Sequence, residues 1–529
     1  MKVHHLPFYK TGYFSNLIND YLDKNSKLLE FYENFPNIEG FKKQINLKSN
    51  FEAAKRKTLV KSLNKQYNSF KTSDLTTENI MLLGAENTFT VTTGHQLNIF
   101  TGPLYFLYKI VTTINLTKEL KKQFPKYNFV PIYWMATEDH DFDEINYFNF
   151  QETKISWNKN VTGAVGRIST KGLDEVEEKF ISLLNTSKNA QKLKELFNNS
   201  YSKHSTLAEA TRYLVNELFG EYGLVIVDGD DKALKTEFKS ILKDELIENT
   251  SYKTVLETNN KLSSNYKIQV NPREINLFYL KDNLRERIIF DTKNYIVNNT
   301  SISFTKDEIL NELENYPERF SPNVIMRPLY QETVLPNLCY IGGGGELAYW
   351  FQLKKYFSVS KIPFPILLLR NSVLFISKKQ LHKLRKLDIS LEEIFVKQED
   401  LISEKIKEIS EIEIDFSQQK LFLKQQFTGL KELAKQTDVS FLGAVNAQEK
   451  KQLNGLDKLE QRLLKAQKRK LNDVIERITL LQNELFPNQS LEERTRNFAE
   501  YYVEFGDKLV PMLLSALNPL KLQFSIIEN

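Results

Sequence analysis

The chain has 529 residues, with 72 basic and 67 acidic side chains and 41% hydrophobic and 12% aromatic residues. That length is too great for one hydrophobic core and predicts two or three structural units, while a net charge of +5 gives no reason to expect a nucleic acid or an anionic membrane as partner. A single cysteine, Cys339, excludes intrachain disulfides and argues against a thiolate zinc site.

The opening stretch, MKVHHLPFYKTGYFSNLINDYL, lacks the continuous apolar region of a signal peptide. The longest apolar runs, such as IPFPILLL, fall short of a membrane span. A soluble, cytoplasmic protein is expected.

The first element pair is NTFTVTTGHQLNIFTGPLYFLYKIVTTINLTKEL. Residues 89–93 read as a strand and 93–102 as a loop, and Pro103 opens a helix that runs to about 120. The loop carries Gly94 and Gly102 ahead of a helix N-terminus, where backbone N–H groups can face an anion. It is neither a Walker A motif nor GxGxxG. His95 and Gln96 add a titratable group and an amide that could orient a substrate, although a structural turn would use the same residues. Thr101 and Tyr105 flank Gly102 and are candidates for substrate contact. TGPLYFLYK also resembles the GPLHxGH signature of class I aminoacyl-tRNA synthetases. Tyr105 and Tyr108 stand where the histidines would, and Leu107 replaces the second glycine. FISKK at 375–379 is similar to the lysine loop of those enzymes.

The second pair is NFVPIYWMATEDHDFDEI, a buried strand followed by EDHDFDE. Five carboxylates without a lysine or arginine among them repel one another, so cations, a metal or a substrate must offset them. His140 with Asp139 or Asp141 could form an acid/base pair. His140, Asp141 and Asp143 could instead hold Mg²⁺ or another hard cation, or the cluster could be an acidic helix N-terminus. Glu138 is a candidate substrate ligand; Asp143 and Glu144 read as structural.

The third pair is YGLVIVDGDDKALKTEF and the fourth strand is FPILLLRNS. Residues about 151–215 and about 240–320, with short strands YKIQV, INLFYL and ERIIF, read as insertions or a second lobe. SPNVIMRPLYQETVLP offers Arg327 and Gln331, and Arg370 and Asn371 follow the fourth strand. These arginines could offset the acidic cluster and bind carboxylate or phosphate in bidentate fashion. IGGGGELAYW carries Gly342, Gly343, Gly344 and Gly345. Four glycines are costly to order, which points to close backbone approach by a phosphate or carboxylate, or to a hinge. Glu346 could pair with a substrate amine. Cys339 reads as core.

Strands alternating with helices in this way argue for an α/β fold with a parallel sheet. In such sheets ligands bind beyond the carboxyl ends of the strands, where TGHQ, EDHD, DGDD and RN all fall.

From about Ser390 glycine and proline thin out. Leu464, Leu471, Ile478 and Leu485 recur every seven residues, with Val474 and Leu481 between them and Gln467 as a polar interruption. Leu456, Leu459 and Leu463 follow the same repeat shifted by one. This predicts a coiled coil with a local skip. Residues 418–434 are its expected antiparallel partner, with DVSFLGAV near the tip, and a homodimer is expected through it. The alternative is a long amphipathic helix on the core. Three parts follow: a catalytic core over 1–388, a helical domain over 389–490, and a segment over 491–529 that returns to the core.

TGHQ–TGPLY, FVPIYWMATEDHDFDEI, SPNVIMRPLYQE and GGGGELAYW together resemble the bacillithiol biosynthesis cysteine-adding enzymes. LPFYKTGYFSNLINDYL and FPNQSLEER also look like that family, so the match runs from end to end. The resemblance implies a Rossmann-like core with connecting-peptide insertions, related to class I synthetases, and a dimerising coiled coil. It implies a ligase that joins L-cysteine to the amine of glucosaminyl-malate. A free carboxylate is a poor acyl donor, so ATP with Mg is the expected activating cofactor, through an adenylate or acyl phosphate; no structural metal is expected. His95, or His140 with Asp139 or Asp141, would act as base. Glu138, Asp139 or Asp141 would bind the cysteine ammonium or sugar hydroxyls. Arg327 and Arg370 would hold the malate carboxylates, with Gln96, Thr101, Tyr105, Gln331, Glu346 and Asn371 as further substrate contacts. Gly94, Gly102 and Gly342–Gly345 would hold phosphate or an oxyanion. Two other readings stand beside this one: a metal-dependent hydrolase built on EDHD, and a nucleotide-sensing coiled-coil scaffold.

Overall fold

The structure is a computed structural model that describes residues 2–437 and 439–529. Contacts divide the chain into two compact units. The first comprises residues 2–9, 13–374 and 491–527; the second comprises Lys10–Gly12, Phe375–Ser490 and Glu528–Asn529.

The first unit is built on β1 (Thr88–His95), α1 (Tyr105–Gln123), β2 (Asn128–Met135), β3 (Val225–Asp228) and α2 (Lys232–Glu248). An inserted antiparallel sheet follows: β4 (Leu277–Lys281), β5 (Leu284–Phe290), β6 (Tyr295–Val297), β7 (Ser303–Phe304) and β8 (Phe320–Pro322). The chain then returns through α3 (Arg327–Val334), β9 (Asn337–Gly342), α4 (Gly344–Phe351) and β10 (Ile366–Leu369).

The core sheet runs β10-β9-β1-β2-β3, and every neighbouring pair is parallel. Counted among these five strands alone, the order is 3-2-1-4-5, the doubly wound pattern. The strand order reverses between β1 and β9, so a crevice opens there beyond the carboxyl ends. Central parallel strands usually read as unbroken apolar runs. β1 does not: it is TFTVTTGH, buried throughout. Its hydroxyls are satisfied inside the sheet. Thr90 and Thr92 donate to Asn337 Oδ1 at 3.1 and 2.8 Å, and Thr93 donates to the Ile341 carbonyl at 2.8 Å. Cys339 is fully buried in the cluster of Val91, Leu338 and Ile366.

Three local expectations are corrected. β1 continues through His95, paired with Met135, where a loop from residue 93 was expected. The four glycines form no open loop: Gly342 ends β9, Gly343 caps α4, and Gly344 and Gly345 lie in its first turn. YKIQV forms no strand, because the side chain of Gln352 takes its backbone groups. Gln269 N and Val270 N donate to Gln352 Oε1 at 3.0 and 3.1 Å, and Gln352 Nε2 donates to the Val270 carbonyl at 2.7 Å.

In the second unit, α5 (Ser417–Ala434) packs on α6 (Val439–Lys470). Lys420 pairs with Asp457 and Glu460, each at 2.6 Å, and Lys431 pairs with Glu449. Ascending numbers in α5 meet descending numbers in α6, so the pair is antiparallel. Phe427, Ala434 and Val445 form its buried seam. Asp438, which opens DVSFLGAV, lies outside the described residues. The helix breaks at Leu471 before α7 (Asn472–Leu485), in which Ile478, Leu481 and Leu485 are buried. Among the described residues, no helix is long and apolar enough to cross a membrane.

Candidate active site

The crevice beyond β1, β2 and β9 is a cavity of about 710 Å³ in the first unit. Gly94, His95 and Gln96 come from the end of β1, Tyr105 and Lys109 from the start of α1, and residues 134–141 from the end of β2 and the turn after it. Arg327, Tyr340, Glu346 and Tyr349 come from α3, β9 and α4. The inserted sheet adds Phe278, Arg285 and Arg287.

The acidic turn is neutralised from two sides. Asp231 caps α2 by accepting from Ala233 N and Leu234 N. That fixes the first turn of α2, so Lys235, 1% exposed, reaches Glu138 Oε1 at 2.5 Å and Asp230 Oδ1 at 3.6 Å. From the inserted sheet, Arg285 lies over the Phe278 ring at 3.9 Å and brings Nη1 to 2.5 Å from His140 Nδ1. Asp139 accepts from His140 N at 2.8 Å and from Gln96 Nε2 at 3.0 Å. Burial alone would raise the Asp139 carboxyl. The His140 side chain, the Gln96 bond, the charge of Arg285 and the His140 backbone bond outweigh burial and hold it well below the usual carboxylate range. Burial and the neighbouring Asp230 push Glu138 up, against the pull of Lys235. Asp141 Oδ1 lies 3.9 Å from His140 Nε2 and is largely exposed. Asp139, His140 and Asp141 bring donor atoms within 4.8 Å of one another. Arg285 takes His140 Nδ1, and His140 Nε2 faces Asp141.

At the switch point, Lys109 is 2% exposed. Its Nζ donates to the Gly94 carbonyl at 2.7 Å and lies 2.5 Å from Glu346 Oε1. Glu346 also accepts from the Tyr340 hydroxyl at 2.7 Å and from Gly343 N at 3.2 Å. Burial would raise the Glu346 carboxyl, and Lys109 and Tyr340 bring it below the ordinary value. A Cβ on Gly94 would meet the Tyr340 hydroxyl at 3.3 Å, so only a small residue fits beside this pair. His95 is 7% exposed, and its Nε2 is buried without a hydrogen-bond partner. Burial, then Lys109 and Arg370, push its imidazole well below the ordinary value, so it is neutral at pH 7. Arg327 Nη1 donates to Gln331 Oε1 at 3.0 Å, while Nη2 is buried without a partner in the cavity wall. Buried unpaired donors and acceptors are costly and mark places where a ligand can supply the missing bond.

The cavity therefore brings together Gly94, His95, Gln96, Tyr105, Glu138, Asp139, His140, Asp141, Arg327 and Glu346. Other predicted residues stand behind its wall. Gln331 supports Arg327 and donates to Glu332 Oε1 at 3.0 Å. Arg370 is paired with Glu493 at 2.7 Å. Asn371 accepts from Thr112 Oγ1 at 3.1 Å and donates to the Asn518 carbonyl at 3.1 Å. Thr101 and Gly102 lie in the turn before α1, and Gly342–Gly345 lie outside the lining. Sequence reasoning missed Lys109, Lys235, Arg285, Arg287 and Tyr340. Lys109 had a signal, as a single cation in the apolar stretch FLYKIVTTI. Arg285 and Arg287 had another, two apart on one face of a strand. Neither signal says which cavity they reach.

Two family models match the chain. "Bacillithiol biosynthesis BshC, N-terminal Rossmann-like domain" covers residues 1–371, and "Bacillithiol biosynthesis BshC, C-terminal coiled-coil domain" covers residues 373–529. Curated relatives carrying the printed name "Putative cysteine ligase BshC" include one from Flavobacterium johnsoniae, 58% identical over 99% of both chains. Another, from Flavobacterium psychrophilum, is 58% identical over 99% of both chains. A third, from Lysinibacillus sphaericus, is 27% identical over 97% of this chain and 96% of its own.

Proposed function

The chain belongs to the BshC family of bacillithiol biosynthesis, and from that premise we propose that it is a cysteine ligase forming an amide between the carboxyl of L-cysteine and the amine of glucosaminyl-malate. The observation that carries this reading is the 58% identity, over nearly the whole length, to relatives whose printed name is a cysteine ligase. The cavity supports it, since it joins candidate bases, ammonium-binding carboxylates and anion-binding arginines at one switch point.

In this reading the cysteine carboxyl is activated with Mg-ATP as an adenylate or acyl phosphate. The sugar amine attacks the activated carbon, the phosphate-bearing group leaves, and the amine loses a proton to a base. His95 is placed for that role by its unpartnered buried Nε2, and because burial, Lys109 and Arg370 disfavour its protonated form, it would hold the proton only in passing. His140, oriented between Asp139 and Arg285, is the second candidate. Asp139 and Asp141 offer carboxylates to the cysteine ammonium, and Glu138 to sugar hydroxyls. Arg327, whose buried Nη2 has no partner, offers a charged donor to a carboxylate. Among the glycines, Gly94 is the one that lines the cavity.

The helical unit pairs with a second copy of the chain. It exposes Leu421, Phe422, Leu433 and Leu459, each at least 52% accessible, on helices that otherwise carry charge. The test of the activity is mass spectrometry of purified protein with cysteine, glucosaminyl-malate and Mg-ATP, with and without nucleotide. ATP-dependent product with AMP or ADP in step supports the ligase and names its activation. Product without ATP keeps the substrates and removes the activation step. No product in either condition overturns the reading.

A further inference from the structure

The turn between β1 and α1 places three consecutive residues in left-handed backbone: Phe100 at φ 49°, Thr101 at φ 66° and Gly102 at φ 63°. Glycine adopts this region freely, but a β-branched threonine does not. Such a turn persists only where its surroundings over-determine it. Here the Phe100 ring packs on Phe148, Phe180 and Phe197 and its N–H donates to the Tyr201 hydroxyl at 2.6 Å, while the turn's carbonyls are held from 397 residues further along the chain. Asn497, fully buried, donates from Nδ2 to the Phe100 carbonyl at 2.8 Å and to the Gly102 carbonyl at 2.6 Å. Its Oδ1 accepts from Ala499 N at 2.9 Å, which fixes the amide orientation. The Arg496 carbonyl accepts from Leu104 N at 2.7 Å.

A second arm starts from Glu493, also fully buried. It accepts from Arg370 Nη2 at 2.7 Å and from Val373 N at 3.2 Å. The Arg370 guanidinium stands 4.9 Å from the centre of the Tyr105 ring. That ring meets His95 edge-on at 5.5 Å and lies 5.9 Å from Lys109 Nζ. The first arm ends on the turn that leads into Tyr105 and the second on the Tyr105 ring of the cavity wall, and both begin within the LEERTRN stretch.

We propose that residues 493–497 are a latch for the active site, with Asn497 and Glu493 as positioning residues. Asn497 holds the strained turn closed. Glu493 holds Arg370 against Tyr105. Together they set where Tyr105, His95 and Lys109 stand. The kinetic part of this proposal rests on the ligase reading; the structural part does not.

The test uses the full-length chain and three variants: Asn497→Asp, Glu493→Gln, and Asn497→Asp combined with Thr101→Gly. Asn497→Asp replaces a double donor with an acceptor facing two carbonyls. It should lower kcat about tenfold or more, leave the KM for cysteine within about threefold, and speed amide exchange across residues 99–104. Thr101→Gly removes the strain that the latch opposes, so the double variant should recover kcat about threefold or more. Glu493→Gln, which keeps the shape and loses the charge, should lower kcat with exchange in the turn unchanged. Wild-type kcat in both single variants overturns the proposal, as does unchanged exchange of the turn in Asn497→Asp. If Asn497→Asp does not fold, Glu493→Gln alone decides, and wild-type kcat there overturns it. Absence of ligase activity in the wild type would remove the ligase reading, while turn exchange would still decide on the latch.

Discussion

Replacing Lys109 with methionine isolates the ion pair at the switch point. Methionine keeps most of the volume and removes the charge. Truncating one partner of a buried pair costs roughly 3–5 kcal/mol, because the other charge is left uncompensated. Glu346 is 26% exposed and keeps the Tyr340 hydroxyl and the Gly343 amide, which lowers that figure. The lost bond to the Gly94 carbonyl adds about 1 kcal/mol. The net expectation is a loss of about 3 kcal/mol at pH 7.5. Trp134, Trp157 and Trp350 all belong to the first unit, so urea unfolding followed by tryptophan fluorescence reports that unit alone. Adding Glu346→Gln removes the stranded charge and should recover about 2 kcal/mol. The sign with pH is also fixed. Without Lys109, burial raises the Glu346 carboxyl, so the penalty stands at high pH and shrinks as pH falls towards 5. A single variant within about 1 kcal/mol of wild type, or a double variant no better than the single, refutes the ion-pair account.

His95→Ala and Asp141→Asn should each abolish product in the mass-spectrometric assay with folding unchanged by circular dichroism; normal turnover in both removes the catalytic assignment. The His95 imidazole is held below its ordinary value of 6.5, so the unfolded chain binds the extra proton first. Stability should fall as pH drops below 6.5, and His95→Gln should flatten that slope in unfolding experiments at pH 5 and 7. Charging two of the helical unit's exposed side chains with Leu421→Glu and Phe422→Glu should give a monomer by light scattering that retains turnover; an unchanged mass refutes the pairing surface.

The sequence made the parallel sheet legible because its strands are short apolar runs that end in polar turns. The antiparallel helical pair was legible through its heptads. What stayed hidden depended on partners far along the chain. β1 extends through His95 because Gly94 and His95 pair with Trp134 and Met135, which no local pattern around TGHQ states. YKIQV has strand composition, yet one glutamine side chain satisfies its backbone. GGGG looks like an open loop, but the capping carboxylate of Glu346 draws two of its glycines into a helix. Half of the site was readable, because TGHQ and EDHD lie at strand ends. The arginines of the inserted sheet were not, since an R-x-R strand reads as an exposed face until its register beside Phe278 is known. Arg370 and Asn371 looked like ligands for the converse reason: their partners, Glu493 and Asn518, lie more than a hundred residues away.

The most direct test of the central claim is a crystal structure of the protein with glucosaminyl-malate and a non-hydrolysable ATP analogue. The sugar amine should lie in the cavity beyond β1 and β9, within hydrogen-bond reach of His95 or His140, with a substrate carboxylate on Arg327. Substrate bound away from that cavity, with His95, His140 and Arg327 untouched, would contradict that claim.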